Sequence, residues 1–489
     1  MELVSVLLVH RHGARLPTNP MGNDLLWPQD DSFWKQYKGT ISPIGMNQSR
    51  NLGEQIRKKY IHLYDGMTPR EISDRTTCHS SNINRTIMSA WSFYNGFFPD
   101  IPVHLRYLSD RESNDYIETE EQLNKKDMTL GIGIIIEKIK SLDKLFHMGK
   151  KDEDLKLWRK ENIKKSTFVK EALQNEKDYL NLFDKIFKIT QCEKFSPSRS
   201  FIDRLSSLKF IYTNIKITEC HGFSVIPNTL GLELTQEEYR MISYATKQIC
   251  NLQFRPYHNL VAYDRGIKTA GYISNEIARY FREIINGRNN NIFTSFSGHD
   301  TTLLALASSL GIYLNNPPYF TGYFLFELYK NENSEYFVKV YYNYDPTKIG
   351  IEELKPRIWK KVKYYTKWDS MEEGVFTFQE FSLLFSQSEF ERVNLFLRQF
   401  SKGHKIEKSN KVDYITHTSR NRYKMVFRCY DRDDNGFITV DELKEILLKL
   451  HEVHITDEDI QKLIEYYDTN KDGLLDSNEF INMVANFIY

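Results

Sequence analysis

Read for its apolar and polar positions, the chain divides into strand-like and helix-like stretches in a fixed order. Leu3-Val4-Ser5-Val6-Leu7-Leu8-Val9 is a near-continuous apolar run, the pattern of a parallel strand buried on both faces. Helical spacing follows over Gly45–Tyr60, which closes on Arg57, Lys58 and Lys59. From about Asp115 to Asn251 the pattern is mostly helical, highly charged and poor in strand signals. We read this stretch, roughly 115–250, as a helical insertion, with Ile132–Leu145 as an amphipathic helix after an apolar start. Helical spacing continues through Ile267–Ile285 and stops at the turn Asn286–Asn291. A second short strand, Ile292–Phe296, leads through Ser297 and Gly298 to His299-Asp300, and a helix is predicted over Thr301–Leu310. Phe320–Tyr329 and Tyr336–Tyr344 predict a closing pair of strands, and Asp345-Pro346 marks a boundary. Beyond it the pattern is helical. The expectation is an α/β domain over 1–345 with a helical insertion, followed by an all-α domain over 350–489.

Length agrees, since 489 residues call for two or three domains. A net charge of +1 argues against a nucleic-acid surface, while leaving room for a local basic pocket. No apolar run is long enough to span a bilayer, so no transmembrane segment is expected. Leu3–Val9 is only strand-length and lacks a basic leader, so no signal peptide is expected. The five cysteines (Cys78, Cys192, Cys220, Cys250 and Cys429) are scattered and include no CxxC pair. They suggest neither a disulfide framework nor a zinc site, and a reducing, cytoplasmic compartment is expected.

The candidate chemistry lies at the two strand ends. Arg11-His12-Gly13-Ala14-Arg15 sets an imidazole between two guanidiniums at the C-terminal end of a buried strand, where open α/β sheets hold their ligands. Guanidinium forks bind phosphate oxygens bidentately and keep their charge. Gly13 lets the backbone approach a neighbour closely. Asp300 falls near the N-terminus of the helix after the second strand, where backbone N–H groups also favour phosphate.

Arg11-His12-Gly13-Ala14-Arg15-Leu16-Pro17 resembles the RHGxRxP signature of the histidine acid phosphatases, branch 2 of the histidine phosphatase superfamily, and His299-Asp300 resembles their HD pair. Asn84-Arg85-Thr86-Ile87-Met88-Ser89-Ala90 resembles their DRTLMSA segment, and Ile41–Met46 their LTxxGM segment. The resemblance covers roughly the first 345 residues in order and weakens through the insertion. It implies a central sheet flanked by helices and hydrolysis of a phosphate monoester through a phosphohistidine. His12 would be the nucleophile, and Arg11, Arg15, Arg85 and His299 would bind the phosphate. Asp300 would be the general acid, its pKa pushed down by the clustered arginines. No cofactor is required for that chemistry. The departures lie in His79–Asn84, where an arginine and two acids of the family segment are replaced.

The C-terminal region carries a second chemistry. The EF-hand pattern D-x-[DN]-x-[DN]-G-x5-E is matched at 431–442 and 468–479. The first loop offers Asp431, Asp433, Asn435, the Phe437 carbonyl and Glu442. The second offers Asp468, Asn470, Asp472, the Leu474 carbonyl and Glu479. These are oxygen donors suited to Ca2+, with Gly436 and Gly473 at the turn position. A degenerate copy spans Asp369–Glu380, with Met371 where a ligand belongs, and a more eroded unit is considered near Lys405–Thr416. Calcium would modulate or stabilise the phosphatase. The alternative is a calcium-sensing scaffold with a vestigial phosphatase domain, and the EF-hand module could engage a protein target.

Overall fold

The computed structural model describes most of residues 1–108, 131–137, 153–253, 273–355 and 435–488, with 375–378, 381 and several positions in 423–431. The apolar run at the start becomes β1 (Glu2–Arg11), longer than its apolar stretch and buried from Ser5 onward. Alternate side chains of β1 enter opposite cores. Val6 and Leu8 join α1 (Pro43–Tyr60) and its neighbours, while Leu7 and Val9 join Phe296, Leu303 and Phe326. Burial on both faces is what the continuous apolar pattern demands.

After α1 come β2 (Thr76–Ser80), α2 (Asn84–Phe97), β3 (Val103–Leu108) and β4 (Ile132–Glu137). Strand β4 corrects the reading of Ile132–Leu145 as a helix. Its Ile132, Ile134 and Ile136 are fully buried against α2, and it pairs in parallel with both β2 and β3. Alternating β-branched residues fit a pleated surface better than a helix. The remainder of that stretch, 138–145, lies outside the described residues.

The insertion proper is helical, as expected. Among the described residues it contains α3 (Glu153–Lys164), α4 (Thr167–Gln174), α5 (Glu176–Thr190), α6 (Phe201–Cys220) and α7 (Gln236–Leu252). It has its own core, in which Phe183, Leu205, Leu208, Ile215 and Ile249 are buried. Then β5 (Phe293–Gly298) returns to the sheet, followed by α8 (Asp300–Ser309), β6 (Tyr323–Lys330) and β7 (Tyr336–Asn343).

Strand order is β3-β4-β2-β5-β1-β6-β7-β8, the last strand being Val375–Thr377. The first five strands are mutually parallel, and β6, β7 and β8 run antiparallel to their neighbours. The carboxyl ends of β1 and β5 stand side by side, with Arg11 opposite Gly298.

Strand β8 is Val375–Thr377, pairing with Phe337–Lys339 of β7. It falls inside Asp369–Glu380, so the chain returns to the same eight-stranded sheet beyond Asp345-Pro346. Phe381 is fully buried there, 5.8 Å from the Phe281 ring and 5.7 Å from Phe326. Residues 369–374, 379–380 and the region near Lys405–Thr416 lie outside the described residues.

The C-terminal pair contains β9 (Phe437–Ile438), α9 (Val440–Lys449), α10 (Asp457–Tyr467), β10 (Leu475–Asp476) and α11 (Ser477–Ile488). Strands β9 and β10 pair antiparallel, joining the two calcium-type loops. Tyr423, Phe427, Leu443, Ile460, Leu463, Phe480 and Met483 form its buried faces. No helix among the described residues is long and apolar enough to cross a membrane.

Candidate active site

The loop after β1 is held from three sides. Gly13 N–H donates to Ser89 Oγ at 3.0 Å and Ala14 N–H to Gln48 Oε1 at 2.9 Å, while Thr321 N–H donates to His12 O. A Cβ on Gly13 would overlap the carbonyl of Gly45 in α1, and one on Gly45 would overlap Ala14. The close approach that Gly13 permits is therefore to the first turn of a helix.

All six phosphatase residues expected from the sequence are brought together. His12, only 2% exposed, has Nδ1 2.7 Å from the Gly13 carbonyl. That partner assigns the proton to Nδ1 and leaves the lone pair on Nε2. Arg85, in the first turn of α2, donates from Nε to that Nε2 at 3.1 Å. Its Nη2 is 3.4 Å from His299 Nδ1. His299 Nε2 in turn lies 3.0 Å from Ser81 Oγ, which also meets Thr86 Oγ1 at 2.7 Å.

Arg11 donates to the Pro318 carbonyl at 2.7 Å, and its guanidinium sits 4.3 Å above the Phe320 ring. Arg15 is buried and donates to the Leu16 carbonyl at 2.9 Å. Asp300 opens α8, where Thr301 N–H donates to Oδ1 at 2.8 Å, and Oδ2 lies 3.8 Å from Arg11 Nη2. Its side chain keeps 42% exposure, so the carboxylate faces open space.

This concentration of cations governs the protonation states. Burial pushes the His12 imidazole well below the ordinary histidine range, and Arg85, Arg11, His299 and Arg15 push it further the same way. Burial and the neighbouring guanidiniums lower Arg15 to about 9. Burial and Arg11 likewise lower Arg85, to about 10, against the opposing pull of Asp300. Partial burial would raise the Asp300 carboxyl, but Arg11, Lys209, His299 and Arg15 outweigh it and hold it well below the usual carboxylate range. A neutral imidazole whose Nε2 lone pair meets Arg85, ringed by guanidiniums and faced by a carboxyl group, is a set of groups that can bind phosphate and attack phosphorus.

The branch 2 model of the histidine phosphatase superfamily matches residues 2–343. The chain belongs to that family. An EF-hand domain pair matches residues 420–485. Prostatic acid phosphatase of Bos taurus is 25% identical over 386 residues, covering 73% of this chain and 82% of the relative. Troponin C isoform 2A of Homarus americanus is 48% identical over 58 residues, 12% of this chain and 38% of that protein. The phytase of Citrobacter braakii shares the fold, with a TM-score of 0.51 at 18% identity, over 79% of this chain and 98% of that one. As in the family, a mixed α/β sheet flanked by helices carries the histidine at the end of β1, here followed by a helical EF-hand region.

In the calcium-type loops, Gly436 and Gly473 take φ of 88° and 80°, the left-handed conformation expected at the turn. Asp431 accepts from Asn435 and Gly436 N–H, and Asp468 from Lys471 and Gly473 N–H. Asn435 Oδ1 accepts from Phe437 N–H and Asp472 Oδ1 from Leu474 N–H, while Asn470 Nδ2 donates to Asp472 Oδ2. Asp433 lies outside the described residues. Glu442 accepts from Thr439, and Glu479 from Thr469 and Asp476. Among the described residues, no three His, Cys, Asp or Glu side chains are gathered closely enough to hold a metal. The donor set is nonetheless all oxygen, as a hard cation requires.

Several supporting residues escaped the sequence reading. Ser81 meets the His299 ring, while Gln48 and Ser89 hold the backbone of the loop that carries His12. Only Ser89 had a local signal, four residues beyond Arg85 on the same helix face, where its Oγ donates to the Arg85 carbonyl at 2.7 Å.

Proposed function

We propose that this chain hydrolyses phosphate monoesters through a phosphohistidine at His12. The observation that carries the reading is the His12 ring, with Nδ1 against the Gly13 carbonyl and Nε2 met by Arg85. Nε2 attacks phosphorus, the bond to the ester oxygen breaks, and its electron pair leaves on the alcohol, which takes a proton from Asp300. Arg11, Arg15, Arg85 and His299 hold the phosphoryl oxygens. Water, assisted by the Asp300 carboxylate, then displaces His12 and releases phosphate. Because neighbouring cations depress Asp300, the negative charge of bound phosphate is what returns its affinity for a proton. The similarity to prostatic acid phosphatase supports the same chemistry.

The C-terminal pair would bind Ca2+ through Asp431, Asp433, Asn435, Phe437 and Glu442 in one loop and Asp468, Asn470, Asp472, Leu474 and Glu479 in the other. The ion supplies charge that draws the acidic oxygens of each loop together. Strand β8 and Phe381 supply a physical link from the region between the two matched families to the catalytic core. Calcium would therefore modulate or stabilise the phosphatase.

Phosphate release from an aryl phosphate at acidic pH, with calcium or chelator, tests both parts. Loss of activity in His12→Ala supports the phosphohistidine, and a rate that follows calcium supports regulation. Full activity in His12→Ala would overturn the reading.

A further inference from the structure

A cavity of about 200 Å³ adjoins the site on the side of the insertion, lined by Arg11, Asp300 and Phe320 and by Lys209, Tyr212 and Lys216 of α6. The phosphoryl group is gripped beside His12 and its ester oxygen leaves toward Asp300. The alcohol half of a substrate therefore extends into this space, which has room for a ring-sized group.

The cations bordering the cavity are not equivalent. Arg11 faces Asp300 at 3.8 Å, Lys216 is paired with Glu219 at 2.6 Å, and Lys348 faces Asp345 at 3.7 Å. Lys209 differs. Its ammonium donates to the neutral Gln253 Oε1 at 2.9 Å, and among the described residues no carboxylate lies within ion-pair distance of it. Lys209 is half-buried and close enough to act on Asp300. A cation held in a concave wall by a neutral partner is a receptor for an anion.

We propose that Lys209 selects phosphate monoesters whose alcohol half carries a second oxyanion, a carboxylate or another phosphate. The inference rests on the phosphatase reading above. Lys209 would meet that oxyanion while the aromatic wall of Tyr212 and Tyr319 flanks the group between the two charges.

The test compares kcat/KM for 4-carboxyphenyl phosphate with its carboxamide, and for phenylene bisphosphate with phenyl phosphate, in wild type, Lys209→Gln and Lys209→Arg. A charge-assisted hydrogen bond is expected to give wild type a preference of about tenfold for at least one anionic ester. Lys209→Gln should bring that ratio close to one, and Lys209→Arg should keep most of it. The ratio cancels any general effect of the substitution on folding, and Lys209→Arg, which keeps the charge beside Asp300, controls for a change in the acid. The larger of the two preferences identifies carboxylate or phosphate as the group recognised. Turnover with a flat ratio in wild type, or with the ratio unchanged in Lys209→Gln, overturns the inference alone. No turnover of any of the four esters overturns the phosphatase reading, and the inference with it.

Discussion

Arg85 Nε stands 3.1 Å from His12 Nε2, so the guanidinium assigned to a phosphate oxygen already touches the nitrogen assigned to attack phosphorus. The same guanidinium reaches His299 Nδ1. Removing it takes away a phosphate donor and the group that orients both imidazoles. Arg85→Ala is expected to lower kcat/KM by about 10²- to 10³-fold. Arg85→Lys should recover little of this, since a single ammonium cannot span both rings as the planar fork does. Steady-state kinetics on an aryl phosphate decides the matter, and near-wild-type rates would remove Arg85 from the chemistry.

Asp300 should matter in proportion to how badly the leaving oxygen needs a proton. On alkyl phosphates, Asp300→Asn is expected to cost about 10²- to 10⁴-fold in kcat. On 4-nitrophenyl phosphate the loss should be much smaller, because nitrophenolate departs without protonation. An equal loss on both substrates would assign Asp300 a role other than general acid.

On the proposed chemistry, the depressed His12 imidazole is expected to set the acid side of the pH–rate profile. Its pKa lies well below the ordinary 6.5, so the lone pair persists as pH falls through that value. The activity controlled by His12 should therefore decline only at much lower pH. Arg15→Gln removes one of the cations that hold both His12 and Asp300 down. Both pKa values should rise, which moves the acid limb of kcat/KM to higher pH. An acid limb at the ordinary histidine value in wild type, or a shift to lower pH in the variant, would contradict this electrostatic account.

The contact between Gly13 and Gly45 predicts a cost at a position outside the chemistry. Gly45→Ala inserts a methyl group against the Ala14 backbone, and neither backbone has slack. We expect a loss of about 1–3 kcal/mol in stability from the forced shift of α1. Activity should fall as well, because Ala14 and Arg15 move with the loop. Denaturant unfolding beside the kinetics would show both effects, and an unperturbed variant would mean that the approach is not tight.

Much of this could be read from the sequence where a residue's own neighbours in the chain carry the signal. Strand β1 announced itself because both its faces are buried, and Arg11, His12, Arg15, Arg85, His299 and Asp300 sit in short motifs. Strand β2 did not, because Thr76-Thr77-Cys78-His79-Ser80 is polar in composition although alternate residues are buried. His79 survives there by stacking on Phe296 at 5.1 Å and bonding to Tyr280 Oη at 2.6 Å, partners more than 200 positions away. Strand β4 was misread because a short apolar run before a charged helical pattern looks the same in either conformation. Ser81, Gln48 and Lys209 earn their roles from tertiary neighbours alone, and nothing local marks them.

The match to the phosphatase family ends at residue 343, yet the sheet takes its outermost strand from 375–377. A chain shortened at that limit would bare the backbone amides and carbonyls of β7 and leave Phe281 and Phe326 without Phe381. A naked, apolar edge of this kind invites pairing with the same edge of another molecule. For this protein, solubility of the phosphatase-family domain is thus expected to depend on a segment beyond the residues that match the family, and expression trials should place the cut after Phe381, not before Val375.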